Sequence, residues 1–413
     1  MNKPVIPLPA QPAPAAPTRR RSADPADWRD LFAQIGAGSS ERERDRVLPF
    51  EAVDLLKAAG FGALRLAEAD GGAGATFRQT YKLALDLAAA DANVAHIFRN
   101  HFTVAEQYAR RPYDAKSRGW QKEVAAGGIF GLASTESGDK PAGGFAPDTR
   151  LDPEGDGFRL NGVKYYSTGT LFADSMLIRA ATADGRVAAV IIPTRREGIE
   201  IVDDWDGAGQ RLTASGTTRY HNVRVEADEA VFDTPGLGYG LAYSNTQAQL
   251  FLTTVVAGIT RGALEDAIAL VKRRKRSFYY APVPTPADDP FLHQAVGQLA
   301  ANAFAAEAVI LAAAETLDRA SDARDRGEDA QALAAEAAKA AAQAKLVVDD
   351  LALKSGSLLF ETGGASATER AVNLDRHWRN ARTIASHNPS SYKAKAIGEL
   401  LVKGTPLPAK GFF

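Results

Sequence analysis

The chain has 413 residues, 45% hydrophobic and 24% charged, enough to bury a sizeable core and to divide into two or three domains. Its 49 Lys+Arg against 50 Asp+Glu leave a net charge of -1, so no global field recruits nucleic acid or an anionic membrane. The absence of cysteine excludes disulfides, thiolate nucleophiles, Cys-ligated zinc and iron–sulfur clusters. It fits a reducing compartment, and the cytoplasm is the expected location.

The first residues, "MNKPVIPLPAQPAPAAPTRRRSADP", are too broken by proline for a signal-peptide core, and a disordered Pro/Ala-rich tail is expected over 1–26. No uncharged apolar run reaches the ~18 residues that span a bilayer, so no membrane insertion is expected. From 27 to 130 the pattern is helical. "PFEAVDLLKAAG" spaces Phe50, Val53, Leu56 and Ala59 along a helix ending at Gly60, and "FRQTYKLALDLAAADANVAHIFRNHFTVAEQYARR" continues as one or two long buried helices.

After Gly131, glycine, threonine and β-branched residues rise. Asn161-Gly162 and Asp184-Gly185 read as hairpin turns, and "TTRYHNVRV" (217–225) as a further strand, so 131–236 forms a small antiparallel β domain. From 237 to 413 four long helical segments return, ending in "LDRHWRNARTIAS", which predicts a four-helix bundle. Its alanine-rich faces suit close packing and subunit contacts, or simply use alanine as a good helix former.

The sequence lacks G-x-x-x-x-G-K-[ST], G-x-S-x-G and H-E-x-x-H, and "GGAGATF" and "GLGYG" lack dinucleotide-cradle spacing. A self-contained NAD(P) domain is not expected. Two segments offer what a flat, polar-edged ring needs, an aromatic face with hydroxyl and amide donors. "GLASTESG" supplies Ala133, Ser134 and Thr135; "KYYSTG" supplies Tyr166, Ser167 and Thr168. A third, "DDWDGAGQRLTASGT", brings Trp205 and Ser215, and the fourth runs from a Gly-Gly turn with Ala365 and Ser366 to His387 before Asn388-Pro389.

The order of these parts resembles the acyl-CoA dehydrogenase superfamily over roughly 27–404. "GLASTESG" is similar to its flavin-contacting Ser/Thr-Glu turn, "NGVKYYSTG" to its N-G-x-K-x-W-I-T strand, "HQAVGQLA" to its Q-x-x-x-x-L-A helix, and "ETGGASA" to its Gly-Gly turn. The resemblance implies an α+β fold: a helical N-terminal domain, a middle antiparallel β-barrel and a C-terminal four-helix bundle. Dehydrogenases of the superfamily carry a Glu-Gly-Thr where this chain has Asn388-Pro389-Ser390, and Asn cannot accept an α-proton.

"DDWDGAGQRLTASGT", "LDRHWRNAR" and the His-Asn-Pro step resemble instead the branch of reduced-flavin monooxygenases that includes dibenzothiophene monooxygenase and the sulfur-acquisition oxygenases. That resemblance implies FMN, reduced to FMNH2 by a separate NAD(P)H-dependent flavin reductase, capturing O2 as a C4a-hydroperoxide that oxygenates an organosulfur compound or an amine. His387, His96, Ser167 and Asn100 are then the expected catalytic residues. Ala133, Ser134, Thr135, Tyr166, Ser167, Thr168, Trp205, Ser215, Ala365, Ser366 and His387 are expected at the cofactor, with Arg276 or Arg274 reaching the phosphate of a neighbouring subunit's cofactor in a homotetramer. His101, His221 and His293 read as packing residues, and no metal site is expected. The alternatives are an FAD-dependent acyl-CoA dehydrogenase with a relocated base and a flavin-free scaffold.

Overall fold

The computed structural model describes residues 21–137, 147–234, 241–411 and 413; most of the N-terminal tail lies outside this range. The tail's last residues are ordered. Pro25–Trp28 forms a 3-10 turn capped by Asp24, and Trp28 is fully buried, its indole N–H donating to Ser22 O at 2.8 Å.

Six helices follow: α1 Arg29–Gly36, α2 Ser39–Asp45, α3 Phe50–Ala58, α4 Phe77–Ala90, α5 Ala92–Tyr108 and α6 Ala115–Ala125. The long apolar run expected as one or two helices is two, because Asp91 adopts an extended backbone (φ -152°) and caps α5 through Asn93 N and Val94 N. A capping box of Thr76 and Gln79 starts α4. Phe61 stands at the centre of the aromatic core, edge-on to Trp28, Phe98 and Phe102 at 5.3, 5.1 and 5.7 Å.

The strands are β1 Phe130–Ala133, β2 Arg150–Glu154, β3 Gly157–Lys164, β4 Ser175–Ala181, β5 Val187–Pro193, β6 Ile199–Val202, β7 Thr217–Val225 and β8 Ala230–Phe232. They form one open sheet in the order β6-β7-β3-β2-β4-β5-β8, with β1 beside β4. The expected antiparallel barrel is therefore corrected twice. The described sheet does not close, and β1 and β2 both pair with β4 in parallel, because each returns to β4 from a distant part of the chain. Asp184-Gly185 is the turn between β4 and β5, with Gly185 at φ +84°. Asn161-Gly162 is not a turn. It lies inside β3 at a register shift against β7, where a Cβ on Gly162 would meet Thr149 Oγ1 at 2.6 Å.

The bundle comprises α7 Thr246–Arg273, α8 Pro290–Asp325, α9 Gln331–Leu358, α10 Arg376–Ala385 and α11 Ser390–Lys403. Only three of these are long. The fourth predicted helix is the ten-residue α10, stopped before Asn388-Pro389, and α11 restarts beyond the proline. α8 is long and apolar enough to satisfy the length and composition of a membrane span, which the sequence reading did not expect, yet it packs along α7 and α9.

Asp91 links several of these parts, since its second oxygen accepts from Arg42 Nη2 at 2.9 Å. Asp91→Ala should lower unfolding free energy in urea by about 2 kcal/mol, and Asp91→Asn, which keeps a capping oxygen, by less than half of that.

Candidate active site

One face of α5 carries Asn93, His96 and Asn100, at helical spacings of three and four. Each meets a loop of the sheet. Asn93 Oδ1 accepts Leu212 N at 3.2 Å, His96 Nδ1 lies 2.9 Å from Gln210 Oε1, and Asn100 Nδ2 donates to Thr168 O at 2.7 Å. The two loops are also bonded to each other: Ser167 N donates to Gly216 O at 3.1 Å, Gly169 N to Thr213 O at 2.9 Å, and the Thr168 and Ser215 hydroxyls are 2.6 Å apart. Gly169, at φ +77°, passes so near Ile97 that a Cβ would stand 2.7 Å from its carbonyl oxygen.

Residues 203–217 are held from the helices as well. Arg46 forms a two-pronged ion pair with Asp203 (2.8 and 2.9 Å), Arg379 donates to Ala208 O and Asn380 accepts Gln210 N at 2.6 Å. Trp205 stands edge-on to Tyr166, centroids 6.0 Å apart, and its indole N–H bonds Gln210 O. Tyr166, Gln210 and Ala214 all have positive φ (57°, 52° and 47°), a concentration of non-glycine strain at ~1–3 kcal/mol each.

Beside these loops lies the turn after β1. Glu136 accepts from the N–H groups of Asp148 and Thr149 and from Lys164 Nζ at 2.7 Å, fixing Ser134 and Thr135 at the mouth of β3. Burial would raise the Glu136 carboxyl, but those donors outweigh it and hold it at about 2. Burial lowers Lys164 to about 8 despite its partner.

The α10–α11 turn closes the group. Asn388 donates to Gln249 of α7, and Lys345 of α9 donates to Ala385 O at 3.2 Å and Asp349 at 2.7 Å. His387 is exposed to solvent, yet its neighbours are interior ones: Arg99, His96 and Lys345. Desolvation by the surrounding protein, then those three positive or potentially positive groups, lower its pKa, although the ring stays open to solvent; burial, then Arg99, against the Gln210 bond, takes His96 to about 4. Both imidazoles are neutral at physiological pH.

Several buried polar atoms have no partner among the described residues, and three belong to this cluster: Ser167 Oγ, Gln210 Nε2 and Gln249 Nε2. An unsatisfied buried group costs ~1–3 kcal/mol, so polar atoms retained in this way fit a polar ligand such as a flavin, whose ring carries both carbonyls and N–H groups.

The structure thus brings together Ala133, Ser134, Thr135, Tyr166, Ser167, Thr168, Trp205, Ser215, His96, Asn100 and His387. Asn100 is 2% exposed and both ends of its carboxamide are engaged, with Thr168 O and Arg99 Nη1. Such a group pins a loop rather than meets a substrate. Arg276, Ala365 and Ser366 are exposed and lie elsewhere, at the corner where Arg274 Nη1 donates to Thr362 O at 2.8 Å. Of the three histidines read as packing residues only His101 packs, between Gly62 O and Phe130 N; His221 and His293 are exposed, a correction to that reading, while His377 is buried with Nε2 2.7 Å from Asp266 Oδ2. No cluster of potential metal ligands occurs among the described residues. A cleft of about 720 Å³ lined by Arg29, Lys82, Asp86, Arg261, Glu265 and Arg376 contains none of the candidate residues.

Sequence reasoning missed Gln210, Asn93, Asn380 and Gln249. Asn93 was within reach of it, three residues before His96 on the same helix face; the others act across 114 residues or more in sequence (Gln210–His96, Asn388–Gln249, Asn380–Gln210) and leave no local periodicity.

Two outcomes are expected. Ser167→Ala should leave the thermal midpoint unchanged or raise it slightly, since a partnerless buried hydroxyl is removed, while abolishing most flavin-dependent turnover; calorimetry beside turnover checks this. His96 and His101 have folded pKa values near 4 against 6.5 when free, so the unfolded chain binds more protons between those values. Stability should be full above pH 6.5 and fall as pH drops toward 4, and His96→Asn should flatten that slope by up to about 1.4 kcal/mol per pH unit.

Comparison with known proteins identifies the family. Residues 250–392 match the family model described as acyl-CoA dehydrogenase, C-terminal domain. Dibenzothiophene monooxygenase of Rhodococcus erythropolis is 30% identical over 396 residues, covering 92% of this chain and 93% of that protein. The probable FMNH2-dependent monooxygenase SfnC of Pseudomonas putida is 27% identical over 93% of this chain and 96% of its own length. The crystal structure of FMN-bound TdsC from Paenibacillus sp. A11-2 superimposes with a TM-score of 0.82 at 27% identity, covering 93% of this chain and 98% of that one. The chain belongs to the acyl-CoA dehydrogenase superfamily, in its branch of reduced-flavin-dependent monooxygenases typified by dibenzothiophene monooxygenase.

Proposed function

We propose that this protein is the oxygenase of a two-component system, taking FMNH2 from a separate NAD(P)H-dependent reductase and using O2 to oxygenate a small organosulfur compound. The observation that carries the reading is the set of hydrogen bonds that seats the loops bearing Ser167 and Gln210 on the α5 face of His96 and Asn100, with Ser167 Oγ buried and partnerless among the described residues, and with Asn388 rather than a carboxylate after His387. The relatives' names supply the substrate class and the cofactor: dibenzothiophene monooxygenase for sulfur, FMN-bound TdsC and FMNH2-dependent SfnC for FMN over FAD.

Bound reduced FMN supplies the electrons that activate O2, so that one oxygen atom passes to substrate and the other leaves as water. The chain's own groups do the rest. Tyr166 and Trp205 would hold the ring, the turn at Ala133, Ser134 and Thr135 with Thr168 and Ser215 would offer donors and acceptors to its edge, and the partnerless Ser167 Oγ would give it a hydrogen bond. His387 and His96, both held toward the neutral form, would take and return protons there, a task suited to imidazole because neither nitrogen is permanently charged. The loops held to α5 exclude bulk water from that face.

The second group of candidates serves a neighbouring copy. Gln249, beside the site, and Arg274 stand near opposite ends of α7, about 37 Å apart along a continuous helix at 1.5 Å per residue. One flavin mononucleotide cannot touch both ends, so Arg276 or Arg274 with Ala365 and Ser366 would meet the cofactor of another protomer. The exposed Phe278, Tyr279, Tyr280, Phe291 and Phe304 and the thinly buried apolar face of α8 suit such a contact, consistent with a homotetramer. A cytoplasmic setting follows from the reductase.

The test is to supply FMN, a generic flavin reductase, NADH and labelled O2 with a panel of sulfides, sulfones, sulfinates and amines. Labelled sulfur products are expected. His387→Ala should cut product formation roughly 100-fold and release hydrogen peroxide while FMN still binds. No product from any sulfur compound, with dye reduction by an acyl-CoA, would overturn the assignment in favour of a dehydrogenase.

A further inference from the structure

Gln210 is built into this site more firmly than any surface loop residue requires. Its backbone holds φ +52° and is bonded from three sides: Asn380 Oδ1 accepts its N–H at 2.6 Å, while Trp205 Nε1 and Thr213 Oγ1 both donate to its carbonyl at 2.9 Å. The side chain is 1% exposed, with Oε1 on His96 Nδ1 and Nε2 without a partner among the described residues. Strain and an unsatisfied amide kept together point to function rather than stability. An imidazole nitrogen that faces a carbonyl oxygen must carry the proton, which leaves the lone pair on the opposite nitrogen. His96 Nε2 makes no hydrogen bond among the described residues.

We propose that Gln210 is a positioning residue that locks His96 in its Nδ1–H tautomer, so that Nε2 is the nitrogen able to take a proton during oxygenation. The proposal rests on the assignment of His96 to the flavin site. A carboxamide suits this place better than a carboxylate, because it accepts the Nδ1 proton without adding charge that would ionise the ring. The charged and titratable groups facing His96 are Arg99 on its own helix and His387 of the α10–α11 turn, with Lys345 of α9 behind the latter. A glutamate at 210 would set a negative charge against that positive surround and convert His96 into an imidazolium.

The tautomer is read without flavin or turnover. The chain has six histidines, so selective 13C labelling of their rings gives a countable spectrum of the apo protein, and the signal lost in His96→Asn is that of His96. The wild-type ring carbon shifts should report Nδ1–H and stay constant down to about pH 5. Gln210→Glu should raise the titration midpoint of this signal by more than about one pH unit, and Gln210→Leu should move it toward a mixture of tautomers. Gln210→Gly removes the backbone strain and keeps the three main-chain bonds, so it should match the leucine variant. In coupled turnover, Gln210→Glu should shift the acid limb of the pH profile upward by a similar amount. An Nε2–H ring in the wild type, an unmoved signal in the glutamate and leucine variants, or a wild-type spectrum in the glycine variant would overturn the proposal. Because the apo spectrum needs no substrate, failure to find an oxygenation product bears on the proposed function and leaves this result standing.

Discussion

Three side chains on one face of α5 hold the loops of the sheet in place, and the candidate site exists because they do. Asn93 accepts a hydrogen bond from Leu212 N, His96 is bonded to the Gln210 side chain and Asn100 donates to Thr168 O, while Asp91 anchors the start of their helix. A hydrogen bond of this kind contributes a net ~0.5–1.5 kcal/mol. The strain it opposes, at Tyr166, Gln210 and Ala214, is of the same order for each residue. Neither loop would keep its shape alone. Arg46, Arg379 and Asn380 supply the remaining support, so helices from both ends of the chain clamp one segment of the sheet.

The electrostatics follow from that enclosure. Arg99 and Lys345 lie close enough to His387 to disfavour a second positive charge, and burial acts in the same direction. Lys345 is itself neutralised locally by Asp349, which also accepts from Ser390 at 3.0 Å. The same Lys345 donates to Ala385 O, so one of the groups that disfavour a charge on His387, after Arg99 and His96, also fixes the turn that carries it. Position and protonation state are coupled in one side chain.

What could be read in advance was whatever has a local signature. Helical spacing located α3, α5 and the bundle, and Asp184-Gly185 marked a true hairpin. Ring-binding chemistry singled out 133–135, 166–168, Trp205 and Ser215, which the structure gathers in one place. Asn161-Gly162 misled because a bulge and a tight turn ask the same of glycine, and only the register with β7 distinguishes them. The sheet was expected to be antiparallel because hairpins are visible in sequence, whereas the parallel pairings of β4 join segments separated by loops and have no such mark. Gln210, Asn380 and Gln249 were invisible for a related reason: their partners are chosen by packing across the fold. Asn100 was rightly placed on the face of His96, but its role turned on who occupies its amide, which no spacing reveals.

The contrast with proton-abstracting relatives comes down to what surrounds one position. A glutamate there must approach its substrate as an anion, so the surroundings have to keep a negative charge stable and directed. In the proposed register that position is Asn388, 6% exposed, its amide donating to Gln249, with the positive groups Arg99 and Lys345 acting on the adjacent histidine. The nearby carboxylate, Asp349, is bonded to Lys345 and Ser390 through Oδ2, while its Oδ1 has no partner among the described residues. In the proposed reading the proton-handling groups are two imidazoles, which exchange protons with oxygen, rather than a carboxylate that removes a carbon-bound proton. Restoring a carboxylate at 388 would therefore not restore dehydrogenation. It would sit beside Lys345 and Arg99, pair with them, raise the affinity of His387 for a proton, and so disable the existing chemistry before supplying the older one.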